Sequence, residues 1–171
     1  MEKINLCEGV VAQMMDTEAW SNISCNFPFS DAQLEKFSDK LNWENVSRNI
    51  NIGWTISMLE KYKKKLDWTV LSLNINVDVL SVDLIDKFKD KWNWEKLSEN
   101  INITLEIIER FADYINWKAL INHWCCEEWA SEDFVKKYSD RIPACEFKNS
   151  RLWEEIVTNR EKDIKKQICL G

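Results

Sequence analysis

Apolar residues recur along this chain at intervals of three and four. Leu34, Leu59, Ile85, Ile108 and Val135 each precede by three residues an aromatic slot, filled by Phe37, Tyr62, Phe88, Phe111 and Tyr138. Leu41, Leu66, Trp92, Ile115 and Ile142 follow that slot by four. This spacing draws a stripe along one side of a helix. The intervening positions are charged, as at Lys61, Lys63 and Lys64 or Lys87, Lys89 and Asp90. Six residues beyond the aromatic slot stand Trp43, Trp68, Trp94, Trp117 and then Ala144, so the whole pattern is an internal repeat. From Trp20 onward the anchors are separated by 23, 25, 26, 23 and 27 residues.

Polar residues fix where the helices begin. A hydroxyl stands seven residues before the aromatic slot each time, at Ser30, Thr55, Ser81, Thr104 and Ser131. At a helix start such a side chain accepts a bond from an otherwise unpaired amide, worth about 1 kcal/mol against Ala. Ser30 has Gln33 three residues on, the capping-box spacing, and Trp54 before Thr55 can staple against Leu59. Asn42, Asp67, Asn93 and Asn116 immediately precede the anchor Trp and predict a second cap. Each repeat therefore holds two helices. The second is short, with Val46, Leu71, Leu97 and Leu120 three residues after Trp on its inner face and Ser47, Ser72 and Ser98 next. Asn49, Asn74 and Asn100 are expected to close it in the left-handed conformation that Asn tolerates.

The expected fold is all-α, a single-domain array of two-helix repeats over residues 1–171. Residues 1–29 form an N-terminal cap and partial repeat, 30–149 the repeats, and 150–171 a longer capping helix. In the cap, a helix through Val10, Val11 and Met14 precedes a short one that begins after Thr17 and carries Trp20, Ile23 and Ser24. Atypical ends suit a stacked array, whose terminal units must cover exposed core.

Composition agrees with helix. A 171-residue chain with 45% apolar residues can bury a sizeable core, and three Gly and two Pro leave little material for hairpins or a phosphate loop. No signal-like start and no long apolar run is visible, which predicts a cytoplasmic protein with its six Cys reduced. A net charge of −6 argues against a nucleic-acid partner, whose phosphates need a clustered positive surface. The anchor aromatics are read as core rather than as a stacking ladder for bases, and the lysine runs as solvated helix faces.

Candidate chemistry is sparse. The single His, His123, stands near Cys125 and Cys126, with Cys145 as a conceivable fourth metal ligand. Adjacent Cys residues make poor joint ligands, so no metal and no cofactor is expected. No paired acid and base or activated nucleophile is visible, and the chain is read as not an enzyme. Residues that break the repeat are better candidates for function. Val70 and Leu73 stand where the other short helices hold Asn45/Arg48, Lys96/Glu99 and Ala119/Asn122, and the apolar loop after them holds Val77, Val79 and Leu80. Trp124 and Trp129 lie beside Glu127 and Glu128 in the longest loop. Both groups are candidate partner-binding surfaces, since exposed apolar patches and Trp mark protein contacts.

The motif Asn42-Trp43-Glu-Asn-Val46-Ser47, with a Ser/Thr-capped helix ending in Phe88-Lys-Asp90-Lys91, resembles the uncharacterised tryptophan-anchored helical repeats of large DNA viruses and bacteriophages. The resemblance covers residues 17–150. It implies a viral or phage protein that binds and blocks a host defence or signalling factor. A structural, self-assembling viral component and a nucleic-acid-mimicking or nucleic-acid-binding inhibitor are the alternatives.

Overall fold

Local capping sets the elements. In the computed structural model, which describes residues 8–76, 80–100, 102–123 and 126–170, each of the five hydroxyls that stand seven residues before the aromatic slot starts a helix. Thr55, Ser81, Thr104 and Ser131 accept the backbone N–H of Met58, Leu84, Ile107 and Phe134. At Ser30 the contact is reversed: Gln33 Oε1 accepts from the Ser30 backbone N–H at 2.9 Å and from its hydroxyl at 2.8 Å. The short helices start as predicted, with Asn42, Asp67, Asn93 and Asn116 accepting amides of the first turn.

The described residues form an all-α repeat array. The repeats are α2 (Asp31–Lys36) with α3 (Trp43–Arg48), α4 (Ile56–Tyr62) with α5 (Trp68–Asn74), and α6 (Val82–Lys87) with α7 (Trp94–Ser98). They continue as α8 (Leu105–Arg110) with α9 (Trp117–Ile121), and α10 (Glu132–Lys137) with α11 (Ala144–Phe147). Longer helices flank them, α1 (Glu8–Asn26) and α12 (Arg151–Leu170). The chain divides into two compact units, Met1–Trp92 and Asn93–Gly171, and the division falls between the two helices of the third repeat.

In the first unit one serine joins each short helix to the next. Ser24 Oγ donates to Trp20 O at 2.6 Å and accepts the N–H of Asn42 at 3.0 Å. Ser47 Oγ donates to Trp43 O at 2.7 Å and accepts the N–H of Asp67 at 2.9 Å. Both are buried. The amide of an N-cap residue has no partner inside its own helix, so the preceding repeat supplies one. The anchor tryptophans make a second joint. Trp43 and Trp68 donate their indole N–H to Ser38 O and Lys63 O, at the end of the first helix of their own repeat. Their rings lie against the aromatic slot of the next repeat, 5.0 Å from Tyr62 and 5.3 Å from Phe88. Lys40 and Lys65 cover the other side of Trp20 and Trp43.

The second unit repeats this arrangement. Ser98 bridges Trp94 O and the N–H of Asn116, Trp117 donates to Ala112 O, and Trp94 and Trp117 meet Phe111 and Tyr138. The anchors pack at the rim rather than in full burial: Trp43, Trp68 and Trp94 are half-buried, while Trp117 is buried. The deepest positions are aliphatic, including Leu34, Val46, Leu59, Ile85, Leu97, Ile108 and Leu120.

Two local expectations are corrected. No described residue other than Gly has positive φ, so the asparagines do not end the short helices in a left-handed turn. Asn49 has φ −75° and ψ 106°, and its buried amide donates to Ser24 O at 3.0 Å and Phe27 O at 2.8 Å. Its role is to satisfy carbonyls at the end of the preceding helix. Thr17 does not start a second helix either. Its hydroxyl donates to Gln13 O at 2.8 Å and α1 runs through it without a break, because no helix-breaking residue interrupts the segment.

Candidate functional site

Helix α5 presents less apolar surface than its sequence suggests. Leu73 is 39% exposed and Val70 is half-buried. From the same slot in α3, Asn45 donates to Ser21 O at 3.0 Å and Ser21 Oγ at 2.8 Å, so this slot faces the preceding short helix. Leu80, expected at the surface, is buried. The reason is positional: the residue before the first N-cap is apolar and buried in every repeat, at Phe29, Trp54, Leu80, Ile103 and Ala130. Val77 and Val79 lie outside the described residues.

The loop before α10 is corrected in the same way. Trp124 and Cys125 lie outside the described residues. Cys126–Glu128 forms a 3-10 turn with Glu127 and Glu128 exposed, but Trp129 is only 5% exposed, its ring 4.8 Å from that of Phe134. Ala130 is the smallest side chain found before any of these N-caps, and the residue next to it, Trp129, is buried as well.

His123 and Cys126 are parts of the scaffold. His123 is buried, and its Nε2 lies 3.0 Å from Asn100 O, one repeat back, as the Asn49 amide does with Ser24 O. Burial pulls its pKa below 6.5, against the opposing pull of the Asn100 and Glu99 carbonyls. A ring that donates from Nε2 to a carbonyl does not offer that nitrogen to a metal. Burial likewise pushes the Cys126 thiol up to about 11, which removes the thiolate needed for nucleophilic or metal chemistry. Cys145 is exposed on α11.

The charged faces carry repeat-to-repeat pairs. Lys61 Nζ is 2.9 Å from Asp31 Oδ1 and 3.1 Å from Glu35 Oε2, and Lys137 Nζ is 2.6 Å from Glu109 Oε1. Lys61 and the Tyr62 hydroxyl hold the Asp31 carboxyl below its ordinary 3.8. Being exposed and screened by solvent, these pairs contribute little to stability. They align neighbours and leave few free cations on these helices.

What the fold leaves open is at α12. Leu152 is fully buried on its inner side, and α12 packs on the 3-10 turn and on α9. From Arg160 to Leu170 every residue is exposed, including Ile164 at 43% and Ile168 at 73%. Trp153, Val157, Ile164 and Ile168 are spaced by four, seven and four residues and form one line along the helix. The inner line of Leu152 and Ile156 continues into Asn159 and Asp163, which are polar. The sequence therefore held the signal that α12 leaves the core halfway along, and reading the whole helix as a packed cap missed it. A second opening lies beside α1. A groove of about 820 Å³ runs between Gln13, Asp16 and Trp20 on one side and Asp39 and Lys40 on the other.

No helix among the described residues is long and apolar enough to cross a membrane. No protein-family model, curated protein or solved structure matches this chain.

Proposed function

We propose that this chain is a non-enzymatic protein-binding module whose repeats hold out the distal half of α12 as the recognition element. The observation that carries this reading is the full exposure of residues 160–170 on a helix that still aligns Val157, Ile164 and Ile168. An amphipathic helix that presents such a line is recognised by laying it into an apolar groove of a partner. Arg160, Lys162, Lys165 and Lys166 against Glu161 and Asp163 leave this half with a net charge of 4 − 2 = +2, in a chain of −6 overall. The partner surface is accordingly an apolar groove with an acidic rim. The engagement of His123 with a backbone carbonyl and the protonated Cys126 thiol support the non-enzymatic part. The resemblance of the Asn-Trp repeats to those of large DNA viruses and phages makes the partner a host defence or signalling protein and the outcome its inhibition.

The test is photo-crosslinking from a phenylalanine-derived probe placed at Lys165, in lysate, with and without Ile164→Asp and Ile168→Asp. One dominant adduct that the two substitutions abolish is expected. Identical adducts from both proteins refute the role of α12. A parallel Val70→Asp, Leu73→Asp protein reports on α5; loss of the adduct there alone moves the site to the second repeat.

A further inference from the structure

The groove beside α1 is the seat of a missing helix. In later repeats the anchor Trp gives its indole N–H to the end of a first helix that precedes it, as Trp43 does to Ser38 O. Before Trp20 no such separate helix stands among the described residues, because α1 continues straight through Thr17 and Gln13. Trp20 keeps its ring contacts with Phe37 and Lys40, at 5.4 Å and 5.3 Å, and its indole N–H has no hydrogen-bond partner among the described residues. The space on that side is the 820 Å³ groove. On α1 itself Val10, Met14 and Met15 are exposed.

The groove is also acidic. Asp16 and Asp39 line it and make no ion pair among the described residues, whereas Lys40 lies over the Trp20 ring. The sequence of α1 carries Glu8, Asp16 and Glu18 and no basic residue. The chain itself holds a helix of matching character, the distal half of α12, with its exposed Ile164 and Ile168 and its net positive charge.

We propose that residues 160–170 of one copy dock in the groove beside α1 of a second copy, taking the place of the first helix that this repeat lacks. The contact is heterologous, head to tail, with the apolar line of α12 against Ala12 and Trp20 and its cations against Asp16 and Asp39. Such a contact grows chains unless its rotation closes a ring. The proposal rests on the reading of α12 as the presenting element and adds a second copy of this chain to what that element binds.

Sedimentation equilibrium over a micromolar-to-submillimolar range tests it with two variants. The head variant carries Asp16→Lys and Asp39→Lys; the tail variant carries Ile164→Asp and Ile168→Asp. All four positions are exposed, and helicity and melting establish that each variant is folded. Ile168→Asp alone is held as a milder tail variant. Wild type is expected to exceed its 20.4 kDa monomer mass as concentration rises, and each variant alone to remain at 20.4 kDa. An equimolar mixture of the two retains one intact head and one intact tail, and is expected to form a one-to-one dimer and nothing larger. Wild type that stays monomeric throughout overturns the proposal, as does a mixture that stays monomeric while wild type associates. If wild type is monomeric but the tail variant still loses its crosslinked partner, self-association fails and the binding function stands.

Discussion

Ser47→Ala isolates the joint on which the repeat depends. The hydroxyl of Ser47 accepts the N–H of Asp67 at 2.9 Å and donates to Trp43 O at 2.7 Å, and the side chain is 1% exposed. Alanine removes both bonds and changes the volume by one oxygen. The Trp43 carbonyl is not left bare, because it can serve the helical ladder of α3. The Asp67 amide is left bare, since an N-cap N–H has no ladder partner. Stranding a buried donor costs about 1–3 kcal/mol. The higher helix propensity of Ala returns about 0.5 kcal/mol, so a net loss of about 0.5–2.5 kcal/mol follows. Urea unfolding monitored by circular dichroism measures it. Ser139→Ala is the control, an exposed serine that bonds only Lys136 O, and is expected within about 0.5 kcal/mol of wild type. If Ser47→Ala unfolds with the same midpoint and slope as Ser139→Ala, the serine joint contributes nothing and the account of the Asn-Trp-x-x-aliphatic-Ser motif is wrong.

Burial lowers the pKa of His123 in the folded protein below its ordinary 6.5, so the unfolded state binds the proton more readily. Stability is expected to be full above pH 6.5 and to fall as pH drops through 6.5 toward the folded value; His123→Asn, which installs the residue of the other repeats, should flatten that slope in acid-range melting. Cys126 should resist a thiol-specific aromatic disulfide at pH 8 until the protein is unfolded, while exposed Cys145 and Cys169 react at once, as counted by absorbance. Trp129→Ala is expected to lose about 3–5 kcal/mol as a core truncation, whereas Glu127→Ala and Glu128→Ala change melting little.

The repeat, its two helices and their caps were legible because each rests on short-range chemistry. A hydroxyl or amide caps the helix beginning at the next residue, and apolar spacing of three and four names the inner face. What was not legible depends on partners 18 or more residues away. The bond from Ser24 to Asn42 spans 18 residues and that from Asn49 to Ser24 spans 25, and no local pattern states them. Asn49 was therefore read as a turn residue when it is a buried side-chain donor. The misplacing of Leu80 and Trp129 had another source. Each was judged against its loop instead of against the slot before the N-cap in the other repeats. His123 stands six residues after its anchor Trp, as Asn49 and Asn100 do, but only the structure gave that slot its meaning as a bond to the preceding repeat. Residues 160–170 show the limit of periodicity: an amphipathic line predicts a helix and a covered side, and says nothing about what covers it.

The serine joint also bears on how such a chain changes length. Where the serine stands, at Ser24, Ser47 and Ser98, the same side chain bonds within its own helix and receives the first amide of the next short helix, so a repeat set between two such serines carries half of two identical couplings. A duplication or deletion that starts and ends at equivalent serines brings together two halves that already fit. The array can therefore gain or lose a whole repeat without a new interface having to arise, and in-frame copying of one repeat is a route by which reach and surface evolve while the coupling chemistry stays the same.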